Sequence, residues 1–306
     1  MSQHPLVSII INNYNYADYL GAAIESALCQ SYLNLEVIVV DDGSTDHSRS
    51  VIAQFGDRIL PILKPNGGQA SAFNAGFAAS RGDFICFLDS DDLLIRDRVS
   101  IELEALLNYP DAGWSYHQLS FIDKTGLPLE QSPPPLPEAI YPFDFRQEMQ
   151  QGTLNQIPLP LPGTDGYLYR RSHLQQILPM PEGEGVSLND SYLQYASFAL
   201  SKGIALTAQL HQQRIHGNNS FTLRSDLTQV KLRAKIHLLT GYWLRANFPK
   251  VHRYTDKLFS VGLGLSWKTG GIDPNYRELP EKYCASLPLL DRIRIYMRAI
   301  YCALKP

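Results

Sequence analysis

Two runs of carboxylates in this 306-residue chain have the spacing of a site. Asp41-Asp42-Gly43-Ser44-Thr45-Asp46 begins where the apolar run 36–40 ends, and Asp89-Ser90-Asp91-Asp92 begins where the apolar run 84–88 ends. Three carboxylates within four residues repel one another unless something positive sits among them. A pair spaced one residue apart suits Mg²⁺ or Mn²⁺, hard cations that take oxygen ligands and share them with substrate phosphates. A metal held there would neutralise a leaving diphosphate. The plainer reading, a solvated turn that caps a helix, is preferred for Asp46 and not for Asp91. The chain has no GxxxxGK[ST] phosphate loop, and no GxGxxG follows the first apolar run, which counts against a dinucleotide oxidoreductase.

Elements must hold these clusters at one edge. The runs 6–11, 36–40, 59–63 and 84–88 are short, apolar and β-branched, the pattern of strands buried on both faces of a parallel sheet. Pro61 puts the third at an edge or makes it irregular. Between them the spacing predicts helices over 17–30, with Leu20, Ile24 and Leu28 on one face, over 45–55 after Ser44 and Thr45, over 70–80 after Gly67-Gly68, and over 99–107 after Asp97. The repeated β-α order predicts a three-layer α/β/α domain with a mostly parallel central sheet. In such sheets ligands bind outside the carboxyl ends of the strands, where both acidic clusters fall.

Beyond the first 125 residues the pattern changes. Segments 132–137 and 158–162 are proline-rich extended loops, and 141–156 between them reads as a helix plus a loop. Helices are expected over 226–246 and 289–304. The last carries Leu290, Ile293, Met297, Ile300, Tyr301 and Leu304 on one face, with Arg292, Arg298 and Lys305 towards the other side. The preferred reading packs that face on its own domain or on a second subunit. The other reading is a peripheral membrane contact through 289–304, on an anionic surface that carries a lipid-linked acceptor.

Composition narrows the classes. With 27 Lys+Arg against 30 Asp+Glu and a formal net charge of -3, no nucleic-acid partner is expected. Hydrophobic residues at 44% and charged residues at 19% mark a globular chain. No apolar run reaches the ~18 residues of a membrane span, and 1–5 lacks the features of a signal peptide. Cys29, Cys86, Cys284 and Cys302 have no zinc spacing. Cys29 and Cys86 lie in apolar stretches and read as reduced core thiols, so a cytoplasmic location is expected.

The motifs together resemble a known family. Val7-Ser8-Ile9-Ile10-Ile11-Asn12-Asn13-Tyr14-Asn15, Val39-Val40-Asp41-Asp42-Gly43-Ser44-Thr45-Asp46, Asn66-Gly67-Gly68-Gln69 through Asn74-Ala75-Gly76, and Phe87-Leu88-Asp89-Ser90-Asp91-Asp92 occur in the order seen in family 2 glycosyltransferases of the GT-A fold. The resemblance is dense over 6–110 and thinner to about 220. It implies a glycosyltransferase domain over 1–220, with a nucleotide-binding half over 1–125 and an acceptor half over 126–220. Residues 221–306 would be a helical extension.

The resemblance also implies roles. Asp41 would accept from the N3–H of a uracil-type base, and Asn12, Asn13 and Tyr14, with Asp42 and Gln69, would belong to the nucleotide pocket. Asp89 would lie by the ribose or a metal-bound water. Asp91 would ligate Mn²⁺ or Mg²⁺, with Asp92 its local competitor. His216, in Arg214-Ile215-His216-Gly217-Asn218-Asn219-Ser220, would approach the metal or diphosphate. Asp190, in Leu188-Asn189-Asp190-Ser191-Tyr192, would be the general base; from its position alone it reads as a helix cap. The implied partners are a nucleotide-sugar donor, UDP-linked by the habit of this family, and a saccharide, lipid-linked or small-molecule acceptor, in polysaccharide biosynthesis. Transfer would be inverting and, without a QxxRW signature, non-processive.

The chain departs from the family at three places. Asn12 stands where Pro is usual, Phe73 where Arg or Lys is usual, and Asn189 where an acid often precedes the base. The missing cation leaves the diphosphate to the metal and to Arg81, Arg214 or Lys64. The rival readings are a catalytically degenerate binder of the same fold, and a nucleotidyltransferase. The second would need a cationic phosphate loop where Asn12-Asn13-Tyr14-Asn15-Tyr16 stands.

Overall fold

The computed structural model describes residues 4–154, 156–182, 188–217, 219 and 226–305. Along the chain, β1 (Val7–Asn13) leads into α1 (Ala17–Leu28), β2 (Leu35–Asp42), α2 (Ser48–Ala53), β3 (Leu60–Lys64), α3 (Gln69–Ala79) and β4 (Phe84–Asp89). A short β5 (Leu93–Leu94), then α4 (Arg98–Asn108), β6 (Ala112–Asp123) and β7 (Ile140–Phe143) follow. Next come α5 (Arg146–Gln151), β8 (Tyr167–Arg170), α6 (Arg171–Leu174), α7 (Asp190–Leu200) and β9 (Lys202–Ile215). The rest is helical: α8 (Leu227–Asn247), α9 (His252–Lys268), α10 (Leu279–Cys284) and α11 (Leu289–Leu304).

Contacts gather the chain into two compact units. The first is Met1–Asp144, Gln156–Met180 and Leu200–Asn218, and it contains all the strands named above. The second is Phe145–Asn155, Pro181–Ala199 and Asn219–Pro306. The boundary expected at 220/221 lies outside the described residues.

The sheet of the first unit runs β3-β2-β1-β4-β8-β6-β9-β5, with β7 also paired to β9. Strands β3, β2, β1 and β4 are parallel, as their continuous apolar runs predict. Val7, Ile9, Ile10 and Ile11 of β1 are wholly buried, and α1 lays Leu20, Ala23, Ile24 and Ala27 on the core. Pro61 sits in β3, the outermost strand. Strand β8 is antiparallel to both β4 and β6, which makes the sheet mixed.

Several expectations give way to specific contacts. Helix α2 starts at Ser48, because Asp46 accepts from Ser48 N (2.9 Å) and from Ala17 N at the start of α1 (3.0 Å). Ser44 instead accepts from Asn13 Nδ2 and Asn15 N. Residues 141–156 open with a strand, β7, before α5. Cys86 is buried as expected, but Cys29 is exposed, since it follows the last turn of α1.

A polar core lies between α4, β6 and β9. Glu102 is 3.2 Å from Arg98 Nε, accepts from Ser115 Oγ (2.9 Å) and lies 3.1 Å from His117 Nδ1; His117 Nε2 is 3.0 Å from His211 Nδ1. Burial pushes the Glu102 carboxyl up, but His117 and Arg98 outweigh it and hold it below its ordinary value. Burial pushes the His117 and His211 imidazoles down. Buried His173 on α6 stacks on Tyr169, and burial lowers its pKa from 6.5 to about 4. The unfolded chain therefore binds a proton at His173 that the folded chain refuses between these two values. The stability is present above pH 6.5 and is lost as pH falls towards 4. Going from pH 7 to pH 5 should cost about 2 kcal/mol through this one group, at about 1.36 kcal/mol per pH unit below 6.5. The thermal midpoint should fall over that range, and less steeply in His173→Gln; an equal slope in the variant would contradict this assignment.

Candidate functional site

Strand register builds the nucleotide edge. Asn12 pairs with Asp89 across β1 and β4, and Asn13 pairs with Asp41 across β1 and β2. Parallel neighbours end together, so four sequence-predicted residues stand side by side at the carboxyl ends of the strands.

Asp41 is buried and already engaged. Its Oδ1 accepts from Asn13 Nδ2 (3.0 Å), and its Oδ2 accepts from Arg49 Nε (3.0 Å) and Ser44 N (3.2 Å). Asp42 is turned to the loop before α3. It accepts from Lys64 Nζ (2.5 Å), Gly67 N (3.0 Å) and Gly68 N (2.8 Å), and its backbone carbonyl takes Asn66 Nδ2 (2.9 Å). Gly68 has φ 83°, which the glycine there tolerates without strain. Gln69, the first residue of α3, donates to Thr164 Oγ1 at 3.3 Å. Asp42→Ala should lower stability by about 2–3 kcal/mol in a urea melt, since two backbone N–H groups and an ammonium lose one buried acceptor. A change below ~0.5 kcal/mol would contradict that role.

The chain turns sharply after β1. Asn15 takes φ 61°, and its Oδ1 accepts from Thr45 N at 2.8 Å. That ties 13–16 to 41–46 and leaves Tyr14 exposed at the rim. The amide oxygen and nitrogen of Asn12 are both buried, with no hydrogen-bond partner among the described residues. Buried amides are ordinarily paired, so this one is available to a ligand or a bound water.

The second acidic cluster forms a turn between β4 and β5, closed by Asp92 N donating to Asp89 O. Because β5 pairs with β9, the end of β9 runs past this turn. Arg214 N donates to Asp92 Oδ1 (2.7 Å), and Arg214 Nε donates to Asp91 O (2.8 Å). Two residues on, His216 Nε2 meets Asp91 Oδ2 at 2.9 Å. The His216 ring stacks on Tyr19 (5.1 Å between centroids, 23°) and meets Tyr16 edge-on (5.8 Å), while Arg214 lies over Tyr19 at 5.0 Å. Burial, then Asp91, Asp89 and Asp92, push the Tyr16 hydroxyl up to about 12. All three carboxylates therefore act on this one hydroxyl.

Asp165 supports the turn from behind. Its Oδ1 accepts from Asp89 N at 2.6 Å, and it shares a hydrogen bond with Asp92. Burial, then Asp165 and Asp91, raise the Asp92 carboxyl well above its ordinary range. Asp92 is thus committed within the protein, and Asp91, whose side chain keeps 15% exposure, is the carboxylate turned towards the edge. Tyr16, Tyr19 and Asp165 are the contributors that sequence reasoning missed. A Tyr pair three residues apart at the start of a helix was the available signal for the first two; nothing marked Asp165 in its proline-rich neighbourhood.

The remaining candidates divide by location. Asp190 opens α7 in the second unit, where Ser191 N donates to Asn189 Oδ1 (3.2 Å) and Asp190 Oδ1 (3.0 Å). Phe73 is a core ring, 4.4 Å from Phe87. Arg81 binds Glu36 beside Ser8, at the opposite end of the strands, and Lys64 is held by Asp42. Of the three cations considered for the diphosphate, only Arg214 lies at the acidic turn. Among the aromatic rings able to stack on a sugar, Phe143 packs on Trp114 and Tyr167 is buried, whereas Tyr141 is exposed. Asn218 and Ser220 lie outside the described residues.

Comparison with known proteins decides the class. The family model described as Glycosyl transferase family 2 matches residues 8–178. This chain is a family 2 glycosyltransferase. It is 35% identical over 246 residues to an uncharacterized glycosyltransferase of Nostoc sp. (strain PCC 7120), covering 77% of this chain and 74% of that one. An uncharacterized glycosyltransferase of Rickettsia typhi is 43% identical over 102 residues, 33% of this chain and 32% of the relative. Among solved structures, S. aureus TarS 1-349 in complex with UDP-GlcNAc superposes with a TM-score of 0.59 at 15% identity, covering 97% of this chain and 81% of that one. At that identity the likeness concerns the fold, and it agrees with the GT-A-like arrangement expected from the motifs.

For a family 2 glycosyltransferase the question at this edge is whether it suits a divalent cation. No group of three His, Cys, Asp or Glu side chains converges as a metal site among the described residues. The Asp91–His216 pair brings together a carboxylate oxygen and an imidazole nitrogen. The carboxylate oxygen fits either Mn²⁺ or Mg²⁺, with phosphate and water oxygens in the remaining positions, and the imidazole nitrogen favours Mn²⁺ of the two.

Proposed function

We propose that this glycosyltransferase moves one sugar from a nucleoside diphosphate sugar, UDP-linked, to an acceptor hydroxyl with inversion. The observation that carries the reading is the edge itself: Asn12, Asn13, Asp41 and Asp89 in register beside the Asp91–His216 pair. The complex of TarS with UDP-GlcNAc supports a UDP donor. Tyr14 and the Asn12–Asn13 backbone line the base, and Asp41 recognises it by exchanging one of its present donors for the base N–H. Asn12 offers the donor its unpartnered amide. Asp89 faces the ribose. Asp91 and His216 hold Mn²⁺ or Mg²⁺, which when bound offsets the charge of the diphosphate. Arg214 fixes the Asp91 backbone. Asp190 removes the proton of the acceptor hydroxyl. The acceptor is a saccharide, a lipid-linked glycan or a small molecule, as in polysaccharide biosynthesis.

A second reading, a chain that binds nucleotide sugar without turnover, draws on buried Phe73 in place of the usual cation. The two separate in one assay. Incubation with UDP-GlcNAc, UDP-glucose and UDP-galactose in Mn²⁺ should release UDP from at least one donor by slow transfer to water, faster with added saccharide acceptors. Binding of these donors without any UDP release would favour the second reading.

A further inference from the structure

The face of α11 that the sequence reading packed on its own domain or on a second subunit is exposed in this chain. Helix α11 packs on α9 and α10 through Ile295 and Ala299, with Tyr296 beside them, against Phe259, Leu263, Tyr283 and Leu287. Ile293, Met297, Ile300 and Leu304 form a stripe at 4-3-4 spacing on the other side, continued by Leu290 and Tyr301. Leu290 is 67% exposed, Met297 65% and Leu304 78%. Scattered exposed apolar residues are ordinary; a continuous helical stripe of large ones marks an interaction surface.

Charge says what covers it. Arg294, Arg298 and Lys305 run along one flank of the stripe, all exposed. Arg292 is not among them, because it is held by the carbonyls of Leu287 and Ala285. Asp291 is the sole acid of α11 and already pairs with Arg294 at 3.1 Å. Next to the stripe, Trp267 of α9 stacks on Tyr296 and is 38% exposed, and Lys268 follows it. A second copy of the chain would bring to this surface the same apolar stripe and the same cations, with no free acid on the helix to meet them. Large aliphatic side chains, a row of cations and a rim indole match a helix lying in the plane of an anionic bilayer.

We propose that α11 docks this protein on an anionic phospholipid membrane, with its exposed stripe in the headgroup–acyl boundary and Arg294, Arg298 and Lys305 on the lipid phosphates. No helix among the described residues is long and apolar enough to cross a membrane, so the contact is peripheral. The docking does not depend on the nucleotide chemistry proposed above.

Flotation of the full chain with vesicles tests it. The protein should float with phosphatidylcholine vesicles containing about a third phosphatidylglycerol. It should bind pure phosphatidylcholine at least tenfold more weakly, and release as salt rises. Ile293→Glu with Met297→Glu lies on the exposed face, so folding survives; circular dichroism and the thermal midpoint check this. The double variant should lose at least tenfold in vesicle affinity, and Arg294→Glu with Arg298→Glu should lose the preference for anionic lipid. Failure of the unaltered protein to float would overturn the proposal. So would equal binding by the stripe variant, or a wild-type dimer that the stripe variant dissolves while neither form binds vesicles.

Discussion

Asp190→Asn should lower the rate of sugar transfer by about 10²–10⁴-fold, the range general-base catalysis supplies, and should leave the affinity for UDP within about twofold. Amide and carboxylate have nearly the same shape, so the start of α7 is kept. Ser191 N retains an acceptor on Asn189. The loss of a negative charge in the first turn costs only about 0.3–1 kcal/mol. What should disappear is the ability proposed for Asp190 to take a proton from the acceptor hydroxyl. The measurement is the transfer rate at saturating donor, alongside UDP affinity by titration calorimetry. Unchanged transfer would remove Asp190 from the mechanism, whereas parallel loss of UDP affinity would make it a binding residue.

Asp91→Asn should abolish the metal-dependent part of nucleotide binding. The side chain keeps its size and can still hydrogen-bond His216, so the stack of His216 on Tyr19 should persist. A neutral amide oxygen is a poor ligand for a hard cation that is otherwise held by one imidazole and the donor phosphates. Affinity for UDP in Mn²⁺ should fall to the value seen in EDTA, a loss of at least tenfold. His216→Ala should share that loss. Tyr19→Ala should show part of it, since the ring positions the imidazole and touches no donor. Full metal-dependent binding in Asp91→Asn would place the cation elsewhere.

The first half of the sheet was legible because its strands announce themselves. Strands β1, β2 and β4 are largely apolar, broken only by Ser8 and Glu36, and each ends in Asn or Asp at the edge where ligands bind in such folds. Strands β6 and β9 were not legible. They carry Ser115, His117, Gln118 and His211 inward, and these pair with Glu102, with one another and with a loop carbonyl, so polar letters conceal buried positions. The acidic motif predicted a cation site, but not which carboxylate is turned towards the edge. That depends on Asp165, distant in sequence, which ties up Asp92 and holds Asp89 N. Helix α11 departs from the own-domain half of its reading for a different reason. It has two apolar faces, and periodicity selects the larger one, while tertiary packing buries the one with Ala299.

The most direct test of the donor and metal site is a thermal shift with UDP, dTDP, GDP and CMP, each in Mn²⁺ and in EDTA. A ligand at 100 times its dissociation constant stabilises by about 2.7 kcal/mol. At about 2.1 cal/mol/K per residue, that moves the midpoint of a chain this long by about 4 °C. A shift of that size with UDP, lost in EDTA and absent in Asp91→Asn, is the predicted result. No shift with any of the four, or a UDP shift undiminished by EDTA, would contradict a metal-assisted nucleotide site at the Asp89–Asp91 edge.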